Sequence, residues 1–348
     1  MHEAGSHGWR LSAASSRSVL LAGVALLTSC ASTGPSKPEP EHPCAQSVDV
    51  SASADTPEFV DDTRIMLEET GCKTALWLDG LFTDEADIES ARNTSGYLSV
   101  SESYSEFEDF ETKVRLRVRL KLPSLKGHTS AFFGREDQSD FISDRVERFS
   151  LSSQLPKIDD RDEWLAGLGY SLPGSKRVNV DFRVGASSLS EPRVFLRSRL
   201  HYTLYSDPDS VAYLRLTPFW QTRDGVGVTL GANYSLVLSP KLLLRLTSIG
   251  TTTEANTGID WSNSATIYQN LAKGRGMAYQ VFITGDSKAP EPLFEYGGRA
   301  TYRQPLITDK LYGELSVGYT WPKIDPALPR EGSYEVGIGL ELPFGKDD

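Results

Sequence analysis

The sequence predicts an all-β fold: a transmembrane antiparallel up-and-down β-barrel of about 14 strands, with 12 as the alternative count, preceded by a short helical segment. Three observations predict it. In "KVRLRVRLKLP", Lys113, Arg115, Arg117, Arg119 and Lys121 alternate with Val114, Leu116, Val118, Leu120 and Leu122. On a strand, successive side chains point to opposite faces, so one face is wholly cationic and the other wholly apolar; a helix would scatter the charges around its circumference. From about Glu111 onward this two-residue period recurs in segments of about 9 to 12 residues, which suit a tilted bilayer crossing better than the ~5 to 6 of an ordinary soluble strand. Finally, small, polar and charged residues fill one face of nearly every segment. Aromatics (Tyr202, Trp220, Tyr279, Tyr302, Tyr319, Trp321, Phe344) fall near strand ends on the other, in the manner of an aromatic girdle. Mean hydropathy is −0.33 and no apolar run reaches the roughly 18 residues of a membrane helix. A barrel escapes that test, because only every second residue meets lipid.

At the N-terminus, Arg10 and Arg17 precede the apolar run "VLLAGVALL" (Val19 to Leu27), so residues 1–29 read as a secretory signal. Leu27, Thr28, Ser29 and Cys30 resemble the bacterial lipobox. That resemblance implies a lipoprotein whose lipid-modified first residue, carrying palmitate or a similar acyl chain, is Cys30. With Ala31 and Ser32 following and no Asp, it further implies sorting to the outer membrane; the alternative is an ordinary cleaved signal. Cys44 and Cys72 then remain as an even pair in an oxidising compartment, where a disulfide is the default reading, stabilising by roughly 3 kcal/mol in the chain-entropy model.

Residues 30–56, rich in Pro, Ser and Glu, read as a disordered tether. Residues 57–110 read as a small helical periplasmic segment and linker. Pro57 suits a helix start, Phe59, Ile65 and Met66 have helical spacing, Gly71 suits a stop, and the acidic, Ser-rich stretch 91–110 is a linker or a lead-in strand. The barrel is expected over 111–348. Its candidate strands are 112–123, 127–135, 146–155, 164–172, 176–187, 193–205, 211–222, 225–238, 240–249, 257–268, 276–285, 293–303, 311–321 and 333–344, separated by turns such as "LPGSK", "SDPDS" and "LSPK".

The last strand, "YEVGIGLELPF", with alternating apolar residues ending in an aromatic, resembles the C-terminal signature of bacterial outer-membrane β-barrel proteins. It departs from that pattern in the tail "GKDD". "YRQPLITDKLYGELSVGYTWP" resembles the penultimate hairpin of a poorly characterised group of proteobacterial outer-membrane proteins. The resemblance implies a Gram-negative outer membrane, a lipid environment, and insertion by the barrel-assembly machinery. It implies no activity.

With the apolar face toward lipid, Lys113, Arg115, Arg117, Arg119 and Lys121 point into the lumen, joined by Arg193, Arg197 and Arg199 and, on the same alternation, by Arg177, Arg183, Arg215, Arg245, Arg299 and Arg303. Rings of cations select anions, which points to a passive, porin-like transport channel for small anionic solutes. In a closed barrel the opening strand meets the last, so Glu335 and Glu341 are expected beside the basic row. Asp181, Glu295 and Glu314 also face inward. The competing reading is therefore a non-conducting structural or assembly barrel whose lumen is filled by Arg–carboxylate pairs. A third reading, an outer-membrane hydrolase, would need a base such as His128 or His201 oriented by a third group, and no surrounding motif supplies one. No catalytic residue, cofactor or metal-ligand spacing is identified. The net charge of −11 argues against a nucleic-acid partner, and the oligomeric state is left open.

Overall fold

Each strand alternates apolar and polar residues, and the strands join edge to edge into a closed ring. The computed structural model describes residues 94–345, apart from 108, 123–127, 145–161, 176, 189–191, 223, 257, 308–309 and 326. The strands are β1 (Thr94–Ser105), β2 (Asp109–Leu122), β3 (Thr129–Asp137), β4 (Asp162–Ser171), β5 (Val178–Ser187), β6 (Arg193–Ser206), β7 (Ser210–Gln221), β8 (Gly225–Ser239), β9 (Leu242–Thr253), β10 (Asp260–Ala272), β11 (Arg275–Asp286), β12 (Leu293–Ile307), β13 (Leu311–Pro322) and β14 (Ser333–Gly345). One helical turn and a half, α1 (Gln138–Ser143), follows β3. Every strand pairs antiparallel with its sequence neighbours, and β1 pairs with β14 to close a 14-stranded barrel, which removes the edges that an open sheet would expose.

The count of fourteen is as expected from the sequence, but its membership differs. The stretch 91–110 contains β1, so the barrel begins at Thr94 and not near 111. The expected strand 146–155 lies outside the described residues, as do Cys30, Cys44, Cys72 and the segment 57–90. At the closure, Leu98 faces Leu342, Ser99 faces Glu341, Ser103 faces Gly337 and Ser105 faces Glu335. The basic row is on β2, one strand further in, opposite Ser95, Tyr97, Ser99 and Ser101 of β1.

Outward-facing apolar side chains are left open around the ring. Leu196, Leu230 and Ile338 are 51%, 54% and 58% exposed. A band this extensive has no place in water, where contiguous apolar patches beyond a few hundred Å² are rare, and it fits a bilayer. Aromatic side chains mark its rim: Tyr296 stacks on Trp321 at 5.2 Å and Phe133 on Trp164 at 5.0 Å. The protein is a membrane-spanning barrel of the outer-membrane type. The apolar face of β2 is divided: Val114 is exposed, whereas Leu120 and Leu122 are buried and cluster with Ala131, Val118 and Leu168.

Candidate functional site

The inward side of the ring is where chemistry is concentrated, and α1 is its most unusual element. Asp137 caps the helix, its Oδ1 accepting from the Asp140 amide at 2.7 Å. The helix ends at Asp144, in the left-handed region at φ 60°. Between these ends Phe141 and Ile142 enter a purely apolar cluster with Phe132, Leu165, Phe195 and Phe219. All four of these strand residues sit on inward registers, on β3, β4, β6 and β7.

Glycines on the adjacent strands make that cluster possible. Phe132 is in register with Gly167, Phe195 with Gly185 and Phe219 with Gly227. A Cβ on Gly227 would lie 2.4 Å from the Phe219 ring, and one on Gly185 would lie 2.9 Å from the Phe195 ring. Each ring therefore lies down across a neighbour that has no side chain, in the manner of aromatic rescue of strand glycines. The result is a low apolar floor in the lumen wall, on which α1 packs. Ile142 and Phe195 are both fully buried.

The floor places the end of α1 among the arginines of β6 and β7. Asp144, itself buried, pairs with Arg199, with Arg215 at 2.9 Å and with Arg197 at 3.7 Å, and it accepts from the Thr217 hydroxyl at 3.2 Å. Arg197 donates to the Phe141 carbonyl and stacks on the Phe141 ring, while Arg215 donates to the Asp144 carbonyl at 2.9 Å. Arg193 pairs with Glu163 at 3.2 Å, and Asp181 lies 3.6 Å from Arg183 and 3.9 Å from Arg199.

The basic row of β2 is treated differently along its length. Lys113 is buried and pairs with Glu111 at 3.3 Å; Arg117 engages Glu136 of β3 through two nitrogens and lies over the Tyr97 ring. Arg115 and Lys121 are half-buried. Arg119 is exposed and has no ion-pair partner among the described residues.

Glu335 and Glu341 do not meet this row, because β1 intervenes. Glu335 accepts from Arg299 at 2.8 Å, and Glu341 from Arg303 at 2.6 Å, with Glu314 a second partner of Arg303 at 2.9 Å. The expectation failed because it took β2 for the first strand. Sequence reasoning also missed Asp144, Glu136 and Glu163 as lumen acids and the four apolar residues of the floor. The available signal for the floor was phenylalanine on a polar face opposite glycine.

His201 lies on an inward register of β6 against Tyr213, and His128 is beside Tyr170 at the start of β3. Among the described residues no group of three or more His, Cys, Asp or Glu side chains could hold a metal ion.

No protein-family model and no curated protein matches the chain. Among solved structures it is similar to the outer-membrane channel DcaP of Acinetobacter baumannii (8% identity, 72% of this chain and 96% of that one, TM-score 0.46). It is also similar to an anion-selective porin from Comamonas acidovorans (13% identity, 72% and 98%, TM-score 0.42) and to OprB of Pseudomonas putida at low pH (11% identity, 72% and 92%, TM-score 0.41). The barrel assignment rests on the closed strand pairing of this chain.

Proposed function

We propose that the chain is a structural barrel of the outer membrane whose lumen is closed to free solute flow by its own ion pairs, with the N-terminus periplasmic and lipid-anchored through Cys30. Asp144 carries the reading. A buried carboxylate on an inward helix, ringed by Arg197, Arg199 and Arg215, fills the lumen wall where an open anion channel would present hydrated guanidiniums. Arg197 is only 2% exposed, so with Asp144 seated it does not line an open path for passing ions. On the far wall Arg299 and Arg303 are compensated by Glu335, Glu314 and Glu341. Fourteen strands fall between small barrels filled by side chains and the 16 to 18 strands of open porins, so the filling decides. Such a barrel serves as an anchor or assembly partner for the N-terminal segment.

Purified protein reconstituted in a planar bilayer is expected to give no regular conductance steps. Steps with a reversal potential displaced toward that of the anion would overturn the reading in favour of a second, a channel favouring small anionic solutes. One observation favours that second reading: Arg119 on β2, on an inward register opposite Ser95 of β1, is exposed and has no ion-pair partner among the described residues.

A further inference from the structure

Three guanidiniums converge on the carboxylate of Asp144, and the other acceptors around them are the Phe141 and Asp144 carbonyls and, 3.9 Å from Arg199, the Asp181 carboxylate. These carbonyls and the carboxylate all belong to the C-terminal end of α1, the end where the helix carries partial negative charge. Even so, the arginines are under-satisfied. Arg197 Nε and Nη2 and Arg199 Nε are buried with no hydrogen-bond acceptor among the described residues, and the Arg197 side chain is 99% buried. Unsatisfied buried donors and an excess of buried cations both cost free energy. A phosphate-like anion, with more oxygens and up to two charges, matches guanidinium forks better than one carboxylate.

We infer that Arg197, Arg199 and Arg215 form a small-oxyanion site in the lumen wall, in which Asp144 sits as a built-in ligand that a free phosphate-like anion displaces. Asp144 stands at the C-cap of α1, in the left-handed region at φ 60°, beyond the Phe141 and Ile142 side chains that pack on the aromatic floor. Access is from the lumen, where Arg199 and Asp181 form a partly open rim over the deeper Arg197 and Arg215. A lipid headgroup is excluded as the source, because Leu196 and Leu216, on the opposite register, are the side chains that meet lipid.

The test uses the full barrel in detergent, titrated calorimetrically with inorganic phosphate against chloride at fixed ionic strength. Asp144→Gly removes the carboxylate and leaves the left-handed turn to the residue that favours it. It is expected to bind phosphate about tenfold or more tightly than the parent, given a like charge removed at contact distance. Asp144→Asn, which keeps the shape and loses the charge, falls between. Adding Arg215→Met to Asp144→Gly abolishes the gain. Heat-modifiable gel migration checks folding, and if Asp144→Gly does not fold, Asp144→Asn carries the comparison. Equal phosphate affinity in the parent and the folded Asp144 variants overturns the site, as does a gain that survives Arg215→Met. Binding is read without reference to conductance, so the site stands or falls independently of whether the lumen is closed.

Discussion

Two walls of the same lumen handle buried charge in different ways. On the wall from β3 to β8, an apolar floor of Phe132, Leu165, Phe195 and Phe219 holds α1 against the barrel, and the helix delivers Asp144 to the arginines from above. On the wall from β12 to β14 no inserted segment is involved among the described residues. Arg299 and Arg303 are neutralised in place by Glu335, Glu314 and Glu341 on neighbouring strands, with Arg299 over the Phe282 ring and Arg303 over the Tyr312 ring. Cross-strand pairs neutralise a wall without filling it. Filling needs something else, a patch of wall low and apolar enough to hold another piece of chain.

The comparison breaks most sharply at the floor. Phe195→Ala removes the ring that both Phe132 and Phe141 contact, and it opens a cavity beneath α1. Large-to-small changes at fully buried aromatics cost about 3 to 5 kcal/mol. A matching fall in the urea midpoint of the folded barrel is expected, together with faster protease cleavage after β3. An unchanged midpoint would mean that α1 does not depend on the floor.

Arg303→Met is the equivalent break in the other wall. It removes the Arg303 partner of Glu314 and Glu341, whose side chains are 6% and 12% exposed. Because the carboxylates can draw water from the lumen, the expected loss is about 2 kcal/mol, below the value for a fully buried pair. An unchanged urea midpoint in the folded variant would sink this account. Smallest of all is Thr229→Val, which deletes the hydroxyl contact to Thr251 at 2.9 Å. It is expected to lower stability by about 1 kcal/mol and to leave α1 protection unchanged.

Much of this architecture is legible in the residues. The strict alternation of "KVRLRVRLKLP" assigns the faces of β2, and similar alternation assigns β6, β8 and β14, because a strand in a closed ring has one lipid side and one lumen side. The acidic, Ser-rich stretch that holds β1 reads as a linker or a lead-in strand and so falls outside the expected barrel. Glu102 falls on the outward register opposite Ile338, where an apolar residue would have completed the alternation. That omission shifted the closure by one strand and led to the wrong partners for Glu335 and Glu341. The inserted helix was hidden for another reason. Its cause is the coincidence of Phe195 with Gly185 and of Phe219 with Gly227 across strands, and such pairings appear only once the register is fixed. Asp144 is likewise unremarkable in sequence and becomes central only because the floor beneath Ile142 brings it to Arg215.

The joint between β1 and β14 has a consequence for how the ring is made. On its inner face serines oppose glycines or acids, Ser101 with Gly339, Ser103 with Gly337, Ser99 with Glu341 and Ser105 with Glu335, with Tyr97 opposite Pro343; on its outer face Phe344 lies against Gly96. The two strands sit at opposite ends of the barrel sequence, so this joint cannot form until the last strand has been synthesised. Its inner face has little side-chain interlock to clear, and the acids beside it are already engaged by Arg299 and Arg303 of β12. The ring thus carries its charged fastenings one or two strands back from the opening and leaves the opening itself to backbone pairing, like a clasp kept clear of stitching.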